Sequence, residues 1–300
     1  MTGTRSRALV PVIGRPRSRG LLLDRSGLRV PPMADYLDGN RANWEERVPV
    51  HLESAFYDVE GWLRDRPGPP VWETGLLGPV DGLDVVQLQC HFGLDALSLA
   101  DAGARVVGVD FSGAAIESAH DLAARAGLTA RARFVEADVL HAAAALRGEQ
   151  FDLVYVTLGS LCWLPSVTQW AEQVAALLRS GGRLFIHDDH PLSWAMAESE
   201  LLVERPYFEE PEPQVDEVIT TYTDGAALSG PSRTYEWNHS LGEIVTALLD
   251  HELRLEHLVE HPWTRWQRFP WLTRLDDARW VVPGDRPKVP LSFSILAIAP

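Results

Sequence analysis

Two acids, Asp110 and Asp138, and the loop Gln89-Cys90-His91-Phe92-Gly93 are the residues of this chain best suited to holding a ligand. Val85-Val86-Gln87-Leu88 leads into the loop, and Arg105-Val106-Val107-Gly108-Val109 leads into Asp110. The order is strand, sharp loop, helix, strand, acid. An acid about 20 positions beyond such a loop, at the carboxyl end of a parallel strand, is placed to accept both hydroxyls of a ribose. The dinucleotide fingerprint wants three glycines, and only Gly93 is present. This points to a nucleoside-type cofactor other than NAD.

Those residues need a frame, and the neighbouring segments supply one. Phe111 to Ile116 opens a helix with Ser112 as its N-cap. Arg133-Phe134-Val135-Glu136 reads as a third strand running to Asp138, Phe151 to Val156 as a fourth and Gly181 to Ile186 as a fifth. Further on, Ser240 and Glu243 form a capping box before an apolar helix. Leu255 to Val259 and Leu291 to Ile298 then read as the last two strands.

From Asp84 to Asp189 this series resembles the class I S-adenosylmethionine-dependent methyltransferases. The Gln-Cys-His-Phe-Gly wording is similar to that of a bacterial subgroup of them. The resemblance implies an α/β fold: a Rossmann-like seven-stranded sheet, helices on both faces, last strand antiparallel. It implies S-adenosylmethionine as cofactor, its methionine end at Gln89, Cys90, His91 and Gly93. Asp110, Phe111 and Ser112 would take the ribose side, Asp138 and Val139 the adenine, and Thr157 the end of the fourth strand. Where the family typically carries an acid and three alternate glycines, this chain has Gln87, Gln89, His91 and Gly93.

From Ala34 to Arg66 apolar residues recur near helical spacing. By the same resemblance this segment is a lid, with Trp44 facing the sulfonium as a cation–π wall and Arg47 pairing with the methionine carboxylate. Two long insertions, 191–237 and 261–290, suit a substrate cap because loops of that length are usually functional. Trp163, Tyr235, Trp237 and Trp263 are the expected substrate-facing aromatics. His187, Asp188, Asp189 and His190 follow the fifth strand, and His239 precedes the late helix. A general base is needed only for an acceptor that arrives protonated. His239 and His190 are the residues chosen for it, since imidazole titrates near neutrality. No metal ligands are assigned.

Composition bounds the rest. A net charge of −15 argues against nucleic acid, as does the absence of an Asn/Asp-Pro-Pro-aromatic motif after the fourth strand, where Thr157 to Trp163 stand. No apolar run reaches the roughly 18 residues of a membrane span. Cys90 and Cys162 are the two cysteines, too few for a disulfide framework, which suggests the cytoplasm. Residues 1–32, with seven arginines and one acid, read as a disordered basic extension, 33–70 as the lid and 71–300 as one methyltransferase domain. The leading function is methyl transfer to oxygen or nitrogen of a small molecule. The alternatives are a non-catalytic S-adenosylmethionine-binding or regulatory protein and a nicotinamide-dependent oxidoreductase. The sequence sets no oligomeric state.

Overall fold

The computed structural model describes residues 34–69, 75–223, 227–230 and 232–300. The extension expected over 1–32 lies outside the described residues. Strands β1 (Asp84–Leu88), β2 (Arg105–Asp110), β3 (Ala132–Glu136), β4 (Phe151–Thr157) and β5 (Leu178–Asp189) run parallel in the order β3-β2-β1-β4-β5. The first insertion forms a separate antiparallel ribbon of β6 (Gln214–Val218) and β7 (Ser232–Glu236). After β8 (Arg254–His261), the second insertion forms a three-stranded patch of β9 (Trp263–Thr264), β10 (Thr273–Arg274) and β11 (Trp280–Val281). The final strand, β12 (Ser292–Ile298), lies antiparallel between β5 and β8 and completes seven strands. A doubly wound dinucleotide sheet keeps its six strands parallel. The antiparallel β12 therefore speaks for the methyltransferase topology and against the oxidoreductase.

The strands are near-continuous apolar runs because both faces of the sheet are covered. Alternate side chains feed two cores. Val86, Leu88, Val154 and Ile186 meet Trp170, Val174, Ile244 and Leu248 on one face. Val85, Leu153, Tyr155 and Phe185 meet Leu97, Leu99, Ile116 and Leu122 on the other. The main helices are α1 (Ala34–Leu52), α2 (Val59–Asp65), α3 (Leu94–Asp101), α4 (Gly113–Ala126), α5 (Val167–Leu177) and α6 (Leu241–Asp250). Ser112 caps α4 by accepting the Ala115 N–H, and Gly127 ends it in the left-handed conformation. The Ser240–Glu243 capping box opens α6 with both reciprocal bonds formed.

The segment from Ala34 to Arg66 is two helices rather than one, with a turn around Ser54. Asn40 ties α1 to β7 across 195 residues: its Nδ2 donates to the Tyr235 carbonyl at 2.8 Å, and its Oδ1 accepts the Tyr235 N–H at 2.9 Å. Helix α1 and the first insertion are therefore packed together.

Candidate active site

The first loop keeps the backbone of a glycine-rich turn without the glycines. Gln89, His91 and Gly93 have φ of 55°, 52° and 80°. A left-handed residue with a Cβ costs roughly 1–2 kcal/mol, so Gln89 and His91 are held by other contacts. Gln89 Nε2 donates to the Ser160 carbonyl at 2.8 Å. The His91 ring bonds His51 of α1 at 2.9 Å, Nε2 to Nδ1. At Gly93 an added Cβ would lie 2.6 Å from the Phe134 ring. Gly93→Ala is expected to lower stability by roughly 2–5 kcal/mol from strain and overpacking together, read from denaturant midpoints. Cys90 packs inward, its N–H on the Val109 carbonyl at 3.0 Å, and burial pushes its thiol up.

Asp110 ends β2 beneath this loop. Its Oδ2 accepts the His91 N–H at 2.8 Å and its Oδ1 the Ser112 N–H at 2.9 Å. Burial nevertheless pushes its pKa up to about 6, against the backbone N–H groups of Ser112, His91 and Phe111. Asp138 caps the turn Val139–His141 through the Leu140 N–H at 3.0 Å. Thr157 closes β4, donating to Asp95 Oδ2 at 2.9 Å and accepting from Gln87 Nε2 at 3.4 Å.

Helix α1 runs along the cleft between these groups. Tyr36 at one end is electrostatically coupled to Asp138, and His51 at the other bonds His91. Fifteen residues of helix span about 22 Å at 1.5 Å each. Asn40, Asn43, Trp44, Arg47 and His51 share one face, three or four apart. Trp44 meets Trp163 and His91 edge-on at 5.3 and 5.2 Å. The Arg47 guanidinium lies over Trp44 at 4.9 Å and Trp163 at 5.4 Å. Arg47 has no hydrogen bond or ion pair with a described residue, and its Nε is buried. Both amide atoms of the fully buried Asn43 are likewise unpartnered, as are Gln87 Oε1 and Gln89 Oε1. Unpaired buried polar groups are costly, and several of those among the described residues belong to α1, β1 and the first loop. His51 bonds Thr221 at 2.7 Å, and Tyr57 bonds Tyr222 hydroxyl to hydroxyl. Burial drives His51 down to about 3 and His91 well below its usual range, with Arg47 adding to both.

Beside the loop after β4 a small pocket is lined by Leu161, Cys162, Asp188, Asp189, Trp194, Trp237 and Phe293, among others. Asp188 folds back onto the loop after β4, accepting N–H groups from Gly159, Ser160, Leu161 and Asp189. Asp189 accepts from Thr264 Oγ1 at 3.0 Å and Trp266 Nε1 at 2.9 Å, pinning the second insertion. Burial, and then Asp188, push Asp189 up to about 7.

The geometry corrects the choice of His190 and His239 as general bases. His190 Nδ1 accepts the Leu192 N–H at 3.0 Å, and its Nε2 faces Glu260 at 2.9 Å. His239 Nε2 bonds the Leu164 carbonyl at 2.8 Å, and its Nδ1 faces Glu209 at 2.6 Å. Each ring has both nitrogens engaged, leaving none to take a proton from an acceptor. Of the four expected aromatics, Trp237 lines the pocket and Trp163 packs on Trp44. Tyr235 instead packs under α1, with its ring where a Cβ on Gly39 would lie. Trp263 stacks on His187 at 5.3 Å, behind β5. Sequence reading missed Asn40, Asn43, His51 and Arg268. The three-and-four spacing in α1 is the signal that finds the first three.

Residues 85–182 match the family described as "Methyltransferase domain". The matched residues run from β1 into β5 of the seven-stranded sheet. A ubiquinone biosynthesis O-methyltransferase of Methylocella silvestris is 33% identical over 134 residues, which cover 45% of this chain and 47% of that protein. The chain thus spans about half the length of the curated relative it matches. An S-adenosylmethionine-dependent methyltransferase of Mesorhizobium loti superposes with a TM-score of 0.53 at 20% identity, covering 76% of this chain and 95% of that one. The CcbJ methyltransferase of Streptomyces caelestis gives 0.57 at 15%, covering 86% and 98%. At these identities the two structures share the fold.

Proposed function

We propose that this chain is an S-adenosylmethionine-dependent methyltransferase acting on oxygen or nitrogen of a small molecule. The observation that carries the reading is the set of unpartnered buried polar atoms on Asn43, Arg47, Gln87 and Gln89, gathered above a loop with left-handed backbone at 89, 91 and 93. Those atoms fit the amino acid end of the cofactor. When bound, the cofactor supplies an activated methyl group on a sulfonium. Asp110 accepts the ribose hydroxyls, Asp138 and the Val139 turn meet the adenine, and Arg47 pairs with the carboxylate. Trp44 and Trp163 form an aromatic wall suited to a cation, and α1 with the first insertion excludes water. Positioning then does most of the catalytic work. A general base is needed only for an acceptor that arrives protonated.

The two buried free thiols and the net charge of −15 support a cytoplasmic enzyme with no nucleic-acid or membrane partner. Among the described residues no helix is long and apolar enough to cross a membrane.

Asp110 sets a pH dependence. Its folded pKa of about 6 exceeds the usual value of about 3.9, so charging it costs stability as pH rises through that window. The charged form is the one that accepts from ribose. Affinity for S-adenosylhomocysteine is therefore expected to be flat above pH 7 and to fall by up to about tenfold per unit below pH 6, measured by titration calorimetry.

The activity is tested by incubating the protein with methyl-labelled S-adenosylmethionine and a low-mass metabolite extract. Label is expected to move to a small molecule, and not with Asp110→Ala. Tight cofactor binding with no transfer to any fraction would favour the non-catalytic alternative.

A further inference from the structure

Arg268, in the second insertion, is a second cation without a partner. Its guanidinium lies over Trp194 at 4.5 Å, Phe269 at 5.0 Å and Trp266 at 5.6 Å. The guanidinium makes no hydrogen bond or ion pair with a described residue, and its Nε is buried. The acids around it do not quench it. Asp189 is occupied by Thr264 and Trp266, and Glu236 is coupled to Arg268 only through space. The Cys162 thiol, in the cleft wall, is electrostatically coupled to Arg268, Glu236, Asp188 and Asp189, and Arg47 is coupled to the same thiol. Trp194, which carries the Arg268 guanidinium, and Cys162 line the same pocket. A guanidinium held flat by aromatic rings presents its N–H fork in a fixed direction, which suits a planar anion bidentately. The buried Nε is left without an acceptor, a cost that an anionic ligand offsets.

We propose that Arg268 anchors a carboxylate on the methyl acceptor, so that the acceptor is a small planar organic acid lying against Trp194 and Trp237. This rests on the reading of the cleft as a methyl-transfer site, in which Arg47 serves the cofactor and Arg268 the acceptor. The carboxylate lies against the guanidinium, and the nucleophile points inward past Cys162 and Asp189.

The test uses the full chain saturated with S-adenosylhomocysteine and titrated with benzoate and salicylate against the neutral benzamide and salicylamide, followed by calorimetry. The acids are expected to bind roughly tenfold to a hundredfold more tightly than the amides, the range for a charge-assisted pair. Arg268→Gln is expected to abolish that preference without changing affinity for S-adenosylhomocysteine, and Arg268→Lys to restore part of it. Acids that bind no better than amides, or not at all, would overturn the proposal, as would a preference that survives Arg268→Gln. Should Arg268→Gln fail to fold, the wild-type acid-to-amide ratio decides alone. Loss of S-adenosylhomocysteine binding by the wild type would remove the methyl-transfer reading instead, while the acid and amide titrations without it would still read Arg268.

Discussion

Asp110→Ala is expected to weaken S-adenosylmethionine binding by roughly a hundredfold to ten-thousandfold. The carboxylate would accept from both ribose hydroxyls, and a hydrogen bond to a charged group is worth about 1.5–3 kcal/mol. The same oxygens take the N–H groups of His91 and Ser112, so the substitution also loosens the loop that holds the methionine end. Stability should fall by roughly 1–3 kcal/mol, since the His91 and Ser112 N–H groups lose their acceptor while a buried charge is also removed. Asp110→Asn keeps one acceptor oxygen and should fall between. Titration calorimetry with thermal melting as the folding control reads both effects, and unchanged affinity would remove the ribose assignment.

Asp188→Ala is expected to destabilise the fold by about 3–5 kcal/mol, the range for stripping a buried charged partner from its donors. Asp188 is 3% exposed and receives four backbone N–H groups, from Gly159, Ser160, Leu161 and Asp189. Three of those donors form the loop that carries Cys162 and Trp163 into the cleft. Alanine leaves all four donors buried and unpaired, whereas Asp188→Asn retains one acceptor and should cost less. Denaturant midpoints measure the difference. A loss below about 1 kcal/mol would show that water or a shifted backbone replaces the carboxylate.

The residues that could be read directly were those whose signals are local. Apolar runs such as Val85 to Leu88 mark strands covered on both faces, and Ser112 and Ser240 mark helix starts within four residues of what they cap. Asp110 and Asp138 are found by their distance from a strand end. The site's remaining parts depend on contacts far apart in the chain. Asn40 reads as an ordinary polar helix residue until Tyr235 is seen beside it, 195 residues on. His239 looks like a base because it stands near a cleft, and only the engagement of both ring nitrogens by Glu209 and Leu164 shows a clamp. Gln89 and His91 stand where the resembled family carries glycine, and the backbone holds left-handed φ at both. Residue type sets the cost of that conformation and does not forbid it, since surrounding contacts can enforce it. The insertions read as loops because β6, β7 and β9 to β11 are short pieces paired only with one another.

Calorimetric titration of the full chain with S-adenosylmethionine, S-adenosylhomocysteine and NAD in parallel tests the central claim most directly. Micromolar binding of both adenosyl compounds, with none of NAD, is the predicted result. Silence from both adenosyl compounds would mean that Gln89, His91 and the polar face of α1 enclose no cofactor, and the account would fail at its first step.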